Sequence, residues 1–428
     1  MSQLGAGRRH DDVSAQWDVI VVGAGLAGLS AGATAAARGA STLVVEGHGP
    51  GGRARTVDRD GFVFNMGAHA LYLGGPGAPV LRRLGIEPLG AKPPLDRYHA
   101  LRDGALHALP TGPSSLFQTS LLGKRSKAQF AKIMGLVPLL RSEKLIATSA
   151  EGWLADYDLR PDVAATIRAL IRLSTYTSDL SSVSADAVLV QLQIAARSGV
   201  VYLHGGWAQL IEGLSRQVEI RRDSSVSSLN SVAGRVEVQT ASGPLLARRV
   251  ILAAGTPAAV RALLPADPGW GDLGDPVSAA CLDVGTTQPP DPGYVLGIDE
   301  PLYGTTQSPP ARHAPKGGAV VSVIRYGARS AEQDRPQLEA HLRVLGVDDG
   351  DVVASRFLAR MVVAGTSPSP GSGGLRGRPG VDATGLPGVY LAGDWVGPCG
   401  LLADAALASG EAAAQAALAG LSRQPSRA

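Results

Sequence analysis

Near its N-terminus the chain carries Asp18-Val19-Ile20-Val21-Val22-Gly23-Ala24-Gly25-Leu26-Ala27-Gly28, an apolar run that meets a glycine-rich turn. The aliphatic residues predict a buried strand, and the small residues that follow predict a helix over residues 26–37. Gly23 permits a tight turn, Gly25 lets a ligand approach the backbone, and Gly28 lets the helix pack on the strand. This order of strand, turn and helix is typical of a dinucleotide-binding βαβ unit.

The residues after this turn indicate which nucleotide is bound. The helix N-terminus offers unpaired N–H groups and partial positive charge to phosphates. A second strand is predicted over residues 41–46, and Glu46 ends it where a carboxylate can hold ribose hydroxyls. Glu46 would repel a 2′-phosphate, so NADP is disfavoured, and a chance glycine turn becomes a poor alternative.

A second glycine-rich loop, Gly51-Gly52-Arg53-Ala54-Arg55-Thr56, follows Glu46. A nicotinamide dehydrogenase does not need such a loop, whereas a longer cofactor must pass it. The guanidinium of Arg53 suits a forked contact with a pyrophosphate oxygen. An ordinary surface loop is the alternative.

The C-terminal part supplies a matching half-site in Gly388-Val389-Tyr390-Leu391-Ala392-Gly393-Asp394-Trp395, followed by a small-residue helix over residues 401–418. Asp394 is placed to accept hydrogen bonds from ribityl hydroxyls. The positive end of the helix would stabilise negative charge on a reduced flavin ring. Together the two ends predict FAD, with the first and last strands side by side in one sheet.

Composition excludes several other classes. The formal charge of +3 is small, and no arginine-rich stripe favours nucleic acid. Two cysteines, Cys281 and Cys399, cannot build a disulfide framework or a four-ligand metal site, so we expect no metal and a reducing compartment. The glycines in residues 19–37 favour a strand and helix over a membrane span, and residues 1–16 lack the apolar core of a signal peptide. A cytoplasmic protein is expected.

The rest of the chain predicts an α/β fold with a discontinuous nucleotide-binding domain and an inserted α+β domain. Residues 113–198 have helical spacing, and residues 308–318 and 367–380 are predicted surface loops. Strands are predicted at 218–220, 225–229, 235–239 and 245–253 as one meander, and at 277–284, 294–298, 319–326 and 352–363, with a helix near 337–344. The FAD-binding domain is expected at residues 12–95, 199–266 and 385–428, and the substrate-binding domain at residues 96–198 and 267–384.

Taken together, these segments resemble the flavin amine oxidase and phytoene desaturase superfamily. The resemblance implies a Rossmann-like FAD domain of the glutathione-reductase type. Gly-Asp-Trp and the stretch Phe64-Asn65-Met66-Gly67-Ala68-His69 look closest to the carotenoid and squalene desaturase branch, although many members have Asp at the position of Asn65.

The resemblance also implies individual contacts. Gly67, Ala68 and His69 would line the flavin ring, and Val226 would pair its backbone with adenine. Leu402 and Ala403 would lie over the pyrimidine edge. The complete set of predicted cofactor contacts is Gly23, Ala24, Gly25, Leu26, Ala27, Gly28, Glu46, Gly47, Gly51, Gly52, Arg53, Gly67, Ala68, Val226, Ala254, Gly255, Gly393, Asp394, Leu402 and Ala403.

His69 is the predicted catalytic residue, as a base or as a wall of the pocket, with a packed histidine as the alternative. Amine oxidases of the superfamily tend to use a strand lysine near the flavin. The six lysines here lie in helical or loop sequence, and the aromatic content of 4% argues against an aromatic cage. Cys399 is interpreted as a small buried residue, with a thioether to the flavin as the alternative.

Residues 116–146 combine leucines with Lys124, Arg125, Lys127, Lys132, Arg141 and Lys144. We interpret them as a solvated helical cap over the pocket, with a peripheral membrane contact as the alternative. The predicted function is transfer of a hydride from an apolar small molecule to flavin N5, with oxygen or a quinone-like acceptor taking the electrons. Alternatives are an amine oxidase, a redox-silent flavin-binding protein or an FAD-dependent isomerase.

Overall fold

A computed structural model describes residues 16–422 of the chain. The predicted domain start at residue 12 and the last residues of the chain lie outside this range. The strands are β1 (Gln16–Val22), β2 (Thr42–Val45), β3 (Thr56–Arg59), β4 (Phe62–Asn65), β5 (Leu71–Tyr72), β6 (Gly90–Ala91), β7 (His99–Arg102), β8 (Ala105–Ala108), β9 (Val200–Leu203), β10 (Glu219–Arg221), β11 (Val226–Val232), β12 (Arg235–Thr240), β13 (Gly243–Leu252), β14 (Val277–Thr286), β15 (Tyr294–Gly297), β16 (Leu302–Ser308), β17 (Ala319–Tyr326), β18 (Val352–Ala364) and β19 (Val389–Leu391). The helices are α1 (Leu26–Ala36), α2 (Gly77–Arg83), α3 (Pro113–Gln118), α4 (Lys124–Leu136), α5 (Ala150–Ala155), α6 (Pro161–Thr175), α7 (Ala185–Ser198), α8 (Ala208–Ser215), α9 (Pro257–Arg261), α10 (Ala331–Val344) and α11 (Leu402–Ser422).

The first sheet joins both ends of the chain. Five parallel strands follow the order β10-β2-β1-β13-β19. The N-terminal half of β13 also pairs antiparallel with β12, and β12 with β11. The first and last strands are therefore in one sheet but not side by side, because the long strand β13 lies between them. The prediction that the strand near residue 219 belongs to the meander was also wrong, since β10 pairs in parallel with β2.

Helices α1 and α11 pack closely on this sheet through small residues. A Cβ added to Gly410 in α11 would lie 2.3 Å from the backbone oxygen of Ala27 in α1. Ser30 Oγ donates to the Leu407 carbonyl at 3.0 Å, and Ser409 Oγ contacts both backbone groups of Gly393 at 2.8 and 3.0 Å. The C-terminal helix thus fixes both the N-terminal helix and the end of β19.

The second sheet has the order β18-β14-β17-β16-β15-β7-β8 and is antiparallel except for the pair β15–β7. Helix α10 packs on one side, and the helices α4 to α7 share the largest apolar core with the other. Strand β16, whose residues are all buried, was missed because Gly304, two threonines and Gln307 interrupt its apolar pattern. Strands β7 and β8 were missed as well.

Two smaller expectations also fail. Cys399 is exposed rather than buried, and it and Cys281 are both free thiols. The predicted surface loop at residues 367–380 contains the buried side chains of Leu375 and Arg378. Residues 19–37 form β1 and α1 as expected, and none of the helices described is long and apolar enough to cross a membrane.

Because no space exists for a side chain between α1 and α11, Gly410→Ala should destabilise the protein by about 1–3 kcal/mol through overpacking. Gly135→Ala is a matched control, since Gly135 lies within α4 with open space around its Cα. That control should raise stability by up to about 1 kcal/mol through helix propensity. Thermal unfolding of the two variants measures the contrast, and equal effects would contradict the close helix packing.

Candidate active site

The glycine-rich turn after β1 leaves the N-terminus of α1 open. Gly25 precedes the helix without a side-chain cap, and the first turn carries no acidic residue. A Cβ on Gly25 would meet no atom within 4 Å, whereas one on Gly28 would lie 1.8 Å from the oxygen of Gly23. The second glycine loop lies alongside, since the Gly51 amide donates to the Ala24 carbonyl at 2.8 Å. Unpaired N–H groups next to accessible backbone form a site for phosphate.

Glu46 lies at the end of β2, next to this turn. Its Oε2 accepts from the Ala24 amide at 2.7 Å, and its Oε1 accepts from the His48 amide at 3.0 Å. A Cβ added to the next residue, Gly47, would lie 2.6 Å from Oγ of Ser225, which directly precedes Val226 at the start of β11. The residues predicted to bind ribose and adenine therefore lie together. Ala254 and Gly255 follow β13 at the same edge of the sheet.

Arg53 and Asp394 form a bidentate ion pair between the second glycine loop and the segment after β19. Their two N–O distances are 2.7 and 2.8 Å. Arg53 also donates to the Val363 carbonyl at 2.9 Å, and the Gly365 amide donates to Asp394 at 2.9 Å. The Asp394 side chain is 2% exposed and that of Arg53 is 39% exposed. Prediction had assigned the two residues to different parts of FAD, and the structure brings them into contact.

Arg378 fixes the segment between β19 and α11. Its guanidinium donates to the carbonyls of Asp394 and Gly400, each at 2.8 Å. Burial lowers the pKa of Arg378 to about 10, although Asp394 raises it. The Trp395 indole donates to the Gly255 carbonyl at 2.7 Å. Sequence reasoning missed Arg378, because no local pattern distinguishes an arginine in a glycine- and proline-rich loop from a solvated one.

His69 lies deep in the protein at the turn predicted to line the flavin, yet part of its surface is accessible. Its Nδ1 faces the Gly67 carbonyl at 2.9 Å, and its Nε2 faces the Arg53 carbonyl at 3.2 Å. Burial lowers the pKa of His69, and the two carbonyls only partly offset this effect. Both ring nitrogens therefore face main-chain oxygens, which leaves neither directed at a substrate.

A buried polar network holds this turn in place. Asn65 donates to Gln307 Oε1 at 3.0 Å and accepts from the Trp207 amide at 2.9 Å, and Gln307 donates to the His69 carbonyl at 3.0 Å. An aspartate at position 65 could accept from Trp207 but could not donate to Gln307, so this network requires the amide of Asn65.

Beneath the turn, Arg356 forms a buried ion pair with Asp283 and donates to the Asn65 carbonyl. Ser322 Oγ also donates to Asp283 at 2.6 Å. Breaking such a buried pair typically costs about 3–5 kcal/mol. The pair therefore keeps Arg356, and with it the carbonyl of Asn65, in a fixed position. Neither charged residue stands in a recognisable motif, so sequence reasoning did not find the pair.

Two bulky residues of the site have left-handed backbone conformations. Tyr176 has φ 61° and Leu402 has φ 54°. Such a conformation costs roughly 1–2 kcal/mol for a residue with a side chain. The Tyr176 hydroxyl donates to the Ala68 carbonyl at 2.8 Å, and Leu402 borders a small cavity together with Asp394. Strain of this kind often marks functional sites.

Tyrosines gather on the side of this turn that faces the second sheet. The hydroxyls of Tyr98, Tyr202 and Tyr303 lie 2.9 to 3.4 Å apart, and the rings of Tyr176 and Tyr326 are in edge contact at 5.6 Å. The Tyr326 hydroxyl has no protein partner. Sequence reasoning did not predict this group of tyrosines, because the fold brings together residues that are scattered along the chain.

Asp404 is a buried carboxylic acid in the first turn of α11. It accepts from the Gly77 amide at 2.8 Å, and the backbone of Gly75 leaves the space that the carboxyl fills. Burial raises the pKa of Asp404 from 3.8 to about 6, although the Gly77 hydrogen bond opposes this shift. Asp404 therefore keeps most of its negative charge at pH 7 and becomes protonated as pH falls through about 6.

Comparison with known proteins identifies the family. The sequence profile of the flavin-containing amine oxidoreductases matches residues 26–287, which is more than half of the 428 residues. The chain belongs to the flavin-containing amine oxidoreductase family. It is therefore an FAD-dependent oxidoreductase, as the sequence analysis predicted.

Solved structures share the fold of this flavoprotein. An oxidoreductase from Methanosarcina mazei is 18% identical with a TM-score of 0.72, over 93% of this chain and 99% of that one. Cyclohexylamine oxidase from Brevibacterium oxydans is 17% identical with a TM-score of 0.72, over 95% and 100%. A putative protoporphyrinogen oxidase from an Exiguobacterium species is 19% identical with a TM-score of 0.69, over 96% and 99%.

A curated relative matches over a short stretch. The chloroplastic prolycopene isomerase of Daucus carota is 40% identical over 60 residues, which cover 14% of this chain and 10% of that protein. This match does not extend to the whole of either chain.

The residues of the flavoprotein fit FAD. The open backbone at Gly25 and the uncapped N-terminus of α1 suit the pyrophosphate, and Glu46 keeps acceptor capacity for ribose hydroxyls. Arg53 remains accessible from the same side. The turn that contains Gly67 and Ala68 lies next to the same arginine, since His69 Nε2 is 3.2 Å from the Arg53 carbonyl.

Replacing Arg53 by Lys should weaken FAD retention by roughly tenfold or more, because lysine cannot keep the two-pronged contact with Asp394. The measurement is the ratio of flavin to protein after purification and dialysis. Arg55→Lys is the matched control, since Arg55 is exposed in the same loop. Equal flavin content in both variants would contradict a role for the ion pair.

Asp404→Asn tests the buried acid. In the unfolded chain its carboxyl ionises near pH 3.8 and in the folded protein near 6, so the folded state holds the extra proton between these values. The free energy of unfolding should fall as pH rises through this window, by about 3 kcal/mol. The variant should thus be more stable than the wild type at pH 7 and equal to it below about pH 3. Thermal unfolding against pH measures this, and a pH-independent difference would contradict it.

Proposed function

We propose that the enzyme removes a hydride and a proton from a largely apolar organic substrate, in the manner of a desaturase or dehydrogenase. FAD, when bound, supplies the hydride acceptor at N5, and oxygen or a quinone-like molecule takes the electrons afterwards. The observation that carries the proposal is the composition of the wall next to Ala68. Ala68 belongs to the largest buried apolar cluster, and the partly buried Leu173, Tyr176, Met361 and Val363 pack against that cluster.

The charged groups of the chain support an apolar substrate rather than an amine. Five of the six lysines are exposed, and Lys127 is partly exposed with its ammonium on the Phe117 carbonyl. None of them lies among the residues that line the turn 65–69. Arg356, which supports this turn from beneath, is already paired with Asp283. Asp283 is therefore not free to bind a cationic amine.

The roles of individual residues follow from these contacts. We propose that Glu46 and Val226 hold the adenosine part, that the α1 N-terminus and Arg53 hold the pyrophosphate, and that residues 67–69 and 402–403 face the flavin ring. His69 then acts as a positioning residue that joins this turn to Arg53, instead of the base that the sequence suggested. Residues 96–198 and 267–384 would bind the substrate, and residues 12–95, 199–266 and 385–428 the cofactor.

A redox-neutral reaction is the second candidate. The short similarity to prolycopene isomerase supports it, because that protein is named for an isomerisation. In this case substrate would be converted without net loss of a hydride.

Anaerobic mixing of the purified protein with candidate substrates distinguishes these functions. An apolar polyene precursor in detergent should bleach the flavin absorbance, whereas cyclohexylamine and putrescine should not. Bleaching by the amines alone would overturn the proposal in favour of an amine oxidase. Product formed from the polyene without bleaching would favour the isomerase.

His69→Ala should retain FAD and slow flavin reduction by roughly tenfold through loss of alignment, because misplacement of a reacting group is costly. The dependence of the rate on pH should keep its shape. If His69 were a base, the loss would be nearer 10²–10⁴-fold, and an ionisation would disappear from the profile. Stopped-flow reduction across a pH series separates the two.

A further inference from the structure

Two large apolar side chains near the basic segment are exposed to solvent. Phe117 in α3 is 85% exposed, and Leu139, just after α4, is 75% exposed. They have the highest exposure of all large apolar side chains in residues 16–422. A single exposed apolar residue is ordinary, but these two lie in one short segment, residues 113–147, on either side of α4.

The same segment carries positive charges that form no ion pairs with the residues that the structure describes. Residues 113–147 contain six cations and one carboxylate, Glu143, so their formal charge is +5, whereas the whole chain carries +3. Within the described part of the chain, none of these cations joins an ion pair. Asp162, at the start of α6, lies beside the N-terminus of α4, where Ser126 Oγ donates to it at 2.9 Å.

Helix geometry directs these groups outward together. Lys124, Ala128, Lys132 and Gly135 are exposed and follow one another at helical spacing along α4, which is about 20 Å long. The ammonium of Lys127 donates to the Phe117 carbonyl at 2.6 Å and so ties α3 to α4. The inner side of α4 is anchored by buried residues of the largest core, among them Phe130 and Ile133.

We propose that this outer surface of α3 and α4, the α3–α4 face, docks on an anionic lipid membrane. Phe117 and Leu139 insert among the lipid head groups, and the surrounding lysines and arginines contact lipid phosphates. Exposed apolar residues framed by unpaired cations complement such a surface in both polarity and charge. The structure thus favours the membrane contact over the solvated cap. Membrane binding by this face does not depend on the proposed reaction, although a membrane would also contain an apolar substrate.

The holoprotein is sedimented with vesicles of phosphatidylcholine alone and of phosphatidylcholine mixed with phosphatidylglycerol. It should bind the mixed vesicles, bind the neutral ones much less, and bind more weakly as salt rises. The double variant Lys124→Glu/Lys132→Glu should bind the mixed vesicles at least about 25-fold more weakly, since each cation contributes about fivefold. Phe117→Ser/Leu139→Ser should also weaken binding, and flavin content and melting temperature should stay unchanged.

Matched controls lie at the opposite edge of the second sheet. Val353 and Arg360 are exposed on β18, six strand spacings or roughly 29 Å from β8, on which α3 packs. Val353→Ser and Arg360→Glu should bind as the wild type does. The proposal is overturned if the wild type ignores mixed vesicles, or if the α3–α4 variants and the controls bind alike. It is also overturned if ultracentrifugation shows a dimer that Phe117→Ser/Leu139→Ser dissociates, since the face then joins two copies of the chain.

Discussion

The ion pair between Arg53 and Asp394 joins two parts of the chain that are 341 residues apart. Around it converge the second glycine loop, the end of β18 through Val363 and the segment that leads from β19 into α11. Because Asp394 is almost fully buried, its charge requires a partner. The guanidinium meets that requirement and at the same time joins these three segments to one another. The arrangement is thus a product of the tertiary structure, not of any one segment alone.

A second constraint acts from the opposite side. The buried pair of Arg356 and Asp283 belongs to the second sheet, yet it holds the carbonyl of Asn65 in the turn that we propose to face the flavin. Tyr176, whose backbone is left-handed at the end of α6, donates from its hydroxyl to the carbonyl of Ala68, three residues further along the same turn. Contacts from the sheet and from the helical layer therefore set the position of one short turn. Such support from several rigid elements is what alignment for hydride transfer requires.

Sequence reasoning recovered what local patterns encode. The strand, turn and helix at residues 18–36, Glu46 at the end of β2 and the helix after Asp394 each carry a local signature, and the structure has β1, α1, β2 and α11 at those places. It failed where contacts between distant residues decide the strand order or the burial of a side chain. Strand β13 between the two terminal strands, the burial of Arg378 and the tyrosines that meet at the site all depend on residues far apart in sequence. The buried polar strand β16 was missed because its partners, and not its own pattern, satisfy its polar groups.

The most direct measurement is the flavin content of the purified full-length protein. The fold described here predicts a yellow protein that holds about one FAD per chain, released by acid as FAD and not as FMN, because the residues that we propose to hold the adenosine and those that we propose to face the ring are both present. A colourless protein that takes up no FAD when it is supplied would contradict the single cleft formed by the two ends of the chain.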